Sequence, residues 1–200
     1  HFSSNRDLIC LRQEAFCRSC KYLINDCSKV IFVISGDIAN YGTEEQYNIA
    51  YQWLKECENF WKKESRILQS FDYVIVPGNH DCMLSDSNPI RDLVIKEILK
   101  KDITSEDKYV DQSLDVQRPF WDFYKRLTCS EISPAVSWQV NIRIKLDLNL
   151  CFHCYNTALL SQLHEEPGKL MIPENYFLDT KDTENQVIVS VFHHNTGWLT

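Results

Sequence analysis

The 200-residue chain is short of glycine (5), proline (6) and methionine (2), and it carries no low-complexity tract, internal repeat or Gly/Ser linker. With 44% apolar, 24% charged and 12% aromatic residues, it is excluded from disorder, collagen and coiled coil and reads as one globular domain over residues 1–200. No apolar stretch approaches the roughly 20 residues of a membrane-spanning helix. The best runs, 30–35 and 187–192, are strand-sized. An excess of positive charge is also missing: 21 Lys and Arg against 28 Asp and Glu give −7. An acidic chain is a poor general polyanion binder, so nucleic acid is expected only as a substrate.

Cysteine, by contrast, is plentiful. Nine of them, odd in number and irregularly spaced, point to free thiols in a reducing, cytoplasmic setting rather than to a disulfide framework. The chain opens on His1 rather than Met, so the lack of a leader peptide has no bearing on location. Cys17-x-x-Cys20 and Cys151-x-x-Cys154 have zinc-knuckle spacing, but the first pair falls in a helical pattern and the second on an extended one. Neighbours two apart or more on a strand do not form the tight turn a knuckle needs, so packing as small hydrophobes is expected.

The periodicity predicts a helix over Asn5–Asp26, with Leu8, Leu11, Ala15 and Tyr22 among its buried positions. Lys29–Ile34 reads as a strand covered on both faces. Thr43 caps the next helix, Gln46 completes a capping box, and Tyr47, Ala50, Tyr51, Leu54, Cys57 and Trp61 form its apolar stripe. Asp72–Val76 is a second buried strand, and Asn88-Pro89 starts a helix to about Lys101, whose end carries Lys96, Lys100 and Lys101 as a solvated face. A short helix near Arg118–Leu127 places Phe120, Trp121, Phe123 and Tyr124 on a core-facing side or on a lid. Val136–Leu146 and Leu150–Asn156 read as a hairpin, and Gln186–Phe192 as a further buried strand. The order predicts an α/β domain with a mixed sheet or two stacked sheets.

Each buried strand ends in polar residues: Gly36-Asp37 with Asn40, then Gly78-Asn79-His80-Asp81, then His193-His194-Asn195. Ligands in α/β folds bind beyond the carboxyl ends of strands, so these tips should converge on one rim. Carboxylate, amide and imidazole together suit Zn, Mn or Fe. Each piece alone is also ordinary turn chemistry.

In this order the motifs resemble those of the calcineurin-like metallophosphoesterases, which read D-x-H, G-D, G-N-H-[DE], a His after a strand, and G-H-x-H; Gly78–Asp81 is the most specific match. The resemblance implies an αββα sandwich of two stacked mixed sheets flanked by helices, with residues 82–135 as a cap-like insertion. It implies a fragment truncated at both ends of a larger chain, without the Asp two positions before His1 and without the closing G-H-x-H. It also implies phosphodiesterase or phosphatase activity at a dinuclear centre of Mn, Fe or Zn with a metal-bridging hydroxide as nucleophile. His1, Asp37, Asn79 and His193 would be metal ligands, with Asp37 bridging and His194 the fallback for His193. His80 would face the substrate phosphate without binding metal, oriented by Asp81. A nuclease and a non-catalytic interaction module are the alternatives.

Overall fold

The computed structural model describes residues 1–86, 88–100, 108–145, 148–180 and 185–199. The expectations for Lys101 and for the 146–147 turn lie outside these residues. The described residues form a mixed α/β fold with two sheets. β1 (Lys29–Ser35) and β2 (Ser70–Val76) pair in parallel, Lys29 beside Ser70 through Ser35 beside Val76. β3 (Ser137–Lys145) and β4 (Leu148–Tyr155) form the antiparallel hairpin, and β5 (Gln186–Val191) adds in parallel to β4. That second sheet is mixed, as expected. β2 lies against β4, which joins the sheets.

The N-terminal helix differs from the expectation. It breaks at Arg12 into α1 (Leu8–Leu11) and α2 (Gln13–Ile24). Leu8, Leu11, Ala15 and Tyr22 are exposed, whereas Cys17 and Ile24 are buried. The physical reason is that α2 docks on α3 (Glu44–Glu64) through Cys17, Gln13 and Phe16, the last against Trp53 and Trp61. Gln13 Nε2 donates to the Trp53 carbonyl at 2.8 Å, Trp61 Nε1 donates to that of Cys17 at 2.9 Å, and the Cys17 and Cys57 sulfurs lie 3.4 Å apart. Hydrophobic periodicity gives no weight to such contacts.

α3 follows its predicted stripe, and Thr43 Oγ1 accepts from the Gln46 N–H at 3.4 Å. The other half of the capping box is absent. Gln46 turns its Oε1 to the N–H groups of Asn40 and Tyr41 at 3.2 and 2.8 Å, tying the loop after β1 to the helix. β2 is covered from Tyr73 to Val76, but β1 and β5 are not the fully buried strands expected, since Val33 and Val187 are about half exposed. β2, which among the described residues also has a strand on one side only, is covered by α6 and by β4 of the other sheet, so it is this cover rather than strand pairing that sets it apart.

α4 (Pro89–Lys100) begins as read from the sequence, with Asn88 Oδ1 accepting from the Arg91 N–H at 3.0 Å. α5 (Lys108–Leu114) was not anticipated. α6 (Arg118–Thr128) buries Phe120, Trp121, Phe123, Tyr124 and Leu127 in the main core beside α3 and the sheets, so those aromatics are core and not a lid. A second apolar cluster joins α4 and α5 to Tyr155, Leu159, Leu160 and Leu170. Buried Arg91 fastens it by donating to the carbonyls of Ser113, Leu159 and Ser161. All nine cysteines are free thiols, with Cys17, Cys57, Cys82, Cys151 and Cys154 buried. No helix among the described residues is long and apolar enough to cross a membrane.

Candidate metal centre

The parallel pairing of β1 and β2 brings their carboxyl ends side by side, and β5 delivers the third tip. Asp37 follows Gly36 in left-handed backbone, φ 58° and 96° respectively. This turn throws the Asp37 carboxylate back over the strand ends rather than onward with the chain. A Cβ at Gly36 would sit 2.5 Å from His193 Nδ1, and one at Gly78 would run into Asp37 Oδ1. Both glycines are therefore required by close approach as well as by the turn.

Asp37 stands between two sets of donors. Its Oδ2 is 3.1 Å from His1 Nε2, and its Oδ1 is 3.4 Å from His193 Nε2. That same nitrogen lies 3.1 Å from Asn79 Oδ1. His1 and His80 meet at a tilt of 49° with ring centroids 4.3 Å apart, and one ligand atom each from His1, Asp37 and His80 fall within 4.8 Å of one another. His80, set aside as a non-ligand by the resemblance, is thus within reach of a cation on the His1 side.

All three imidazoles are anchored the same way. His193 Nδ1 donates to the Ser35 carbonyl at 2.8 Å, His80 Nδ1 to the Asn40 carbonyl at 3.0 Å, and His1 Nδ1 to Asn40 Oδ1 at 3.2 Å. An imidazole that donates through Nδ1 has its Nε2 lone pair free, and for His1 and His193 that atom faces Asp37. Backbone or amide oxygens behind the ring are the usual support of metal-ligating histidines. The donor set and its backing therefore fit one or two cations that accept mixed oxygen and nitrogen ligands.

Two sequence expectations change. Asp81 does not orient His80, which is held by Asn40. The Asp81 side chain is fully buried and turned the other way, accepting from the N–H groups of Gly78, Ile38 and Ala39 at 2.9, 3.2 and 2.8 Å and from the Tyr47 hydroxyl at 2.9 Å. It stitches the loop after β1 to the loop after β2. Burial pushes its carboxyl above the ordinary value against the pull of those donors, and burial with the nearby Asp81 charge drives Tyr47 well up. His194 also faces away. Its ring meets Thr157 Oγ1 at 2.9 Å and Glu165 Oε2 at 3.3 Å, while packing edge-on against His193.

Asn40 is the site residue whose role sequence reading missed; its nearness to Gly36-Asp37 was visible, its two hydrogen bonds were not. Beside His1 a groove of about 590 Å³ opens between α1, α2 and α3, with Leu8, Ile9, Phe16 and Trp53 as apolar walls and Arg12 as its cation.

The family model described as calcineurin-like phosphoesterase matches residues 13–196. No curated protein and no solved structure matches the chain.

Proposed function

The chain belongs to the calcineurin-like phosphoesterase family, and on that premise we propose that it hydrolyses phosphoesters at a dinuclear metal centre held by His1, Asp37, Asn79 and His193. One observation carries this reading: the two oxygens of Asp37 face opposite donor sets, His1 on one side and His193 with Asn79 on the other. A carboxylate so placed is suited to share its charge between two cations. When bound there, a pair of Mn, Fe or Zn ions would supply Lewis acidity toward the phosphoryl oxygens and lower the pKa of an attacking water.

The chain's own residues do the rest. Asp37, Asn79, His1 and His193 position the cations from rigid strand ends. His80, fixed through Nδ1, presents Nε2 toward the site, where only the doubly protonated imidazolium can donate to a phosphoryl or leaving-group oxygen. Asp81 supports the site from behind by holding the turns that carry Asp37 and Asn79. The organic part of the ester has the groove beside His1, whose Leu8, Ile9, Phe16 and Trp53 walls suit a hydrophobic group, with Arg12 and Asp7 both at its edge. In the sheets, we take the finer arrangement as two stacked layers flanked by helices. We place the cap-like insertion, expected over residues 82–135, among the residues before α6, a placement that the packing of α6 in the main core supports.

The test is hydrolysis of bis(p-nitrophenyl) phosphate and of p-nitrophenyl phosphate with added Mn2+ or Zn2+. The expected result is metal-dependent turnover that a chelator abolishes, with the ratio of the two rates deciding diesterase against monoesterase. No turnover of either ester, or of supercoiled DNA, at any metal concentration would leave the interaction-module alternative standing instead.

A further inference from the structure

We infer that the groove beside His1 selects phosphoesters of a bulky apolar alcohol, with Trp53 as its floor and Leu8 and Phe16 as the walls that set the preference. The inference deepens the proposed phosphoester hydrolysis and rests on that reading for its consequence, while binding in the groove can be measured apart from it. His1 joins the two places: its Nε2 lies 3.1 Å from Asp37, and the same residue lines the groove of about 590 Å³. An ester held with its phosphoryl group at Asp37 can therefore run one arm directly into the groove.

The lining decides what that arm is. Trp53, only 8% exposed, is fixed by Phe2 edge-on with ring centroids 5.7 Å apart, and by Phe16 at 5.2 Å and a tilt of 38°. The polar groups of the walls are already engaged within the chain. Trp53 Nε1 donates to the Ile9 carbonyl at 3.2 Å, and the Trp53 carbonyl accepts from Gln13 Nε2 at 2.8 Å. The carbonyls of Leu8 and Arg12 accept from the N–H groups of Arg12 and Phe16 at 3.0 and 2.9 Å. Asp7 is occupied by the N–H groups of Ser3 and Ser4, and Arg12 is the cation that accompanies it. A sugar or nucleobase arm would give up water at several polar atoms and find few partners in exchange. A second phosphate would meet one cation offset by one carboxylate. An apolar arm pays neither penalty. Because α1 buries none of its residues and Leu8 is 62% exposed, such an arm also covers Leu8, Ile9 and Phe16 and so removes their apolar surface from water.

Non-hydrolysable phosphonates test this directly. Calorimetric titration of the protein with added Mn2+ should find octylphosphonate or phenylphosphonate bound at least about tenfold tighter than methylphosphonate, as burial of one large apolar group warrants. The phosphonate analogue of thymidine 5′-phosphate should bind no tighter than methylphosphonate. Phenyl above octyl would make the natural arm aryl and the reverse would make it alkyl, and either order upholds the groove. Phe16→Ser should cut the apolar-over-methyl ratio about tenfold, and Leu8→Gln, at a position outside the core, about threefold. In the metal-free protein, 1H–13C methyl spectra locate the probe: octylphosphonate should shift the Leu8 and Ile9 methyl resonances and methylphosphonate should not. Those shifts, together with affinities that Mn2+ leaves unaltered, would uphold the groove and defeat the metal-centre reading. Equal affinities for the octyl, phenyl and methyl compounds, a preference for the nucleoside arm, an undiminished ratio in Leu8→Gln, or octyl binding without a shift at Leu8 and Ile9 would each overturn the inference.

Discussion

Replacing Asp81 by Asn sets an amide NH2 against donors that now meet a carboxylate. Four donors converge on its two oxygens, and an amide can accept on one of them only. Two buried N–H or O–H groups lose their acceptor, at about 1–3 kcal/mol each. Urea unfolding of Asp81→Asn should show a loss of roughly 2–6 kcal/mol on that principle, with no change in the His80 hydrogen bond to Asn40. Unchanged stability would mean that Asp81 is not the stitch between the two loops. The thiols make a second residue-scale case. Burial raises Cys82 and Cys154 to about 12, so almost no thiolate exists near pH 8, whereas Cys129 is exposed. Brief iodoacetamide treatment of the native protein should label Cys129 and spare Cys82 and Cys154, as peptide mass spectrometry reads. Equal labelling of all three would contradict their burial.

Among the elements, the first turn of the chain depends on one carboxylate. Asp7 accepts from the N–H groups of Ser3 and Ser4 at 2.5 and 2.8 Å, and from their hydroxyls. The backbone donors of Ser4 and then Ser3 hold its pKa at about 2, below the ordinary 3.8. Because the folded value is depressed, the stabilisation is fully present above pH 3.8 and is lost as the pH falls toward 2. Protection of the Ser3 and Ser4 amides should therefore fall across that window, and Asp7→Ala, which removes the Oδ2 that both of them reach, should show the loss already at pH 6. Full protection in Asp7→Ala at pH 6 would remove the carboxylate from the account.

The same scale shows what sequence patterning could and could not reach. α3, β2, α4, α6 and the β3–β4 hairpin were legible because one strong signal marked each: an apolar stripe, a β-branched run, an Asn-Pro start or a turn between alternating segments. α2 was misread because its docking stripe, Cys17, Cys20 and Ile24 beside Gln13, is made mostly of small thiols, while the larger apolar residues Leu8, Leu11 and Tyr22 drew the buried face to the wrong side. β1 looked buried on both faces because its composition does, while its burial depends on a neighbour that residue type does not encode. Gln46 fitted a capping box by spacing, yet its side chain found two N–H groups of the preceding loop instead of one at the cap.

Across the whole molecule, the motifs at Asp37, Asn79 and His193, separated by 42 to 156 positions, were legible as a set because each follows a strand, and parallel strands must end on the same side. Their geometry brings Asp37, Asn79 and His193 together, with His1 closing the other side. What the motifs could not reveal is the division of labour behind them. Asp81 reads like a partner for its neighbour His80 but serves the backbone, and Asn40, outside the motifs, holds the two imidazoles. Such roles depend on where main-chain carbonyls fall in space, which only folding decides. The two apolar clusters show the same limit: α6 joins the sheets while α4 and α5 join a separate group around Tyr155 and Leu160, though all three helices lie between β2 and β3 in the chain.

The most direct test of the central claim is the metal load of the chain with and without its shared carboxylate. After equilibrium dialysis against Mn2+ or Zn2+, elemental analysis should find two ions per unmutated chain and, because a single side chain serves both positions, a loss of both in Asp37→Asn. An Asp37→Asn protein that retains the full load would contradict the account.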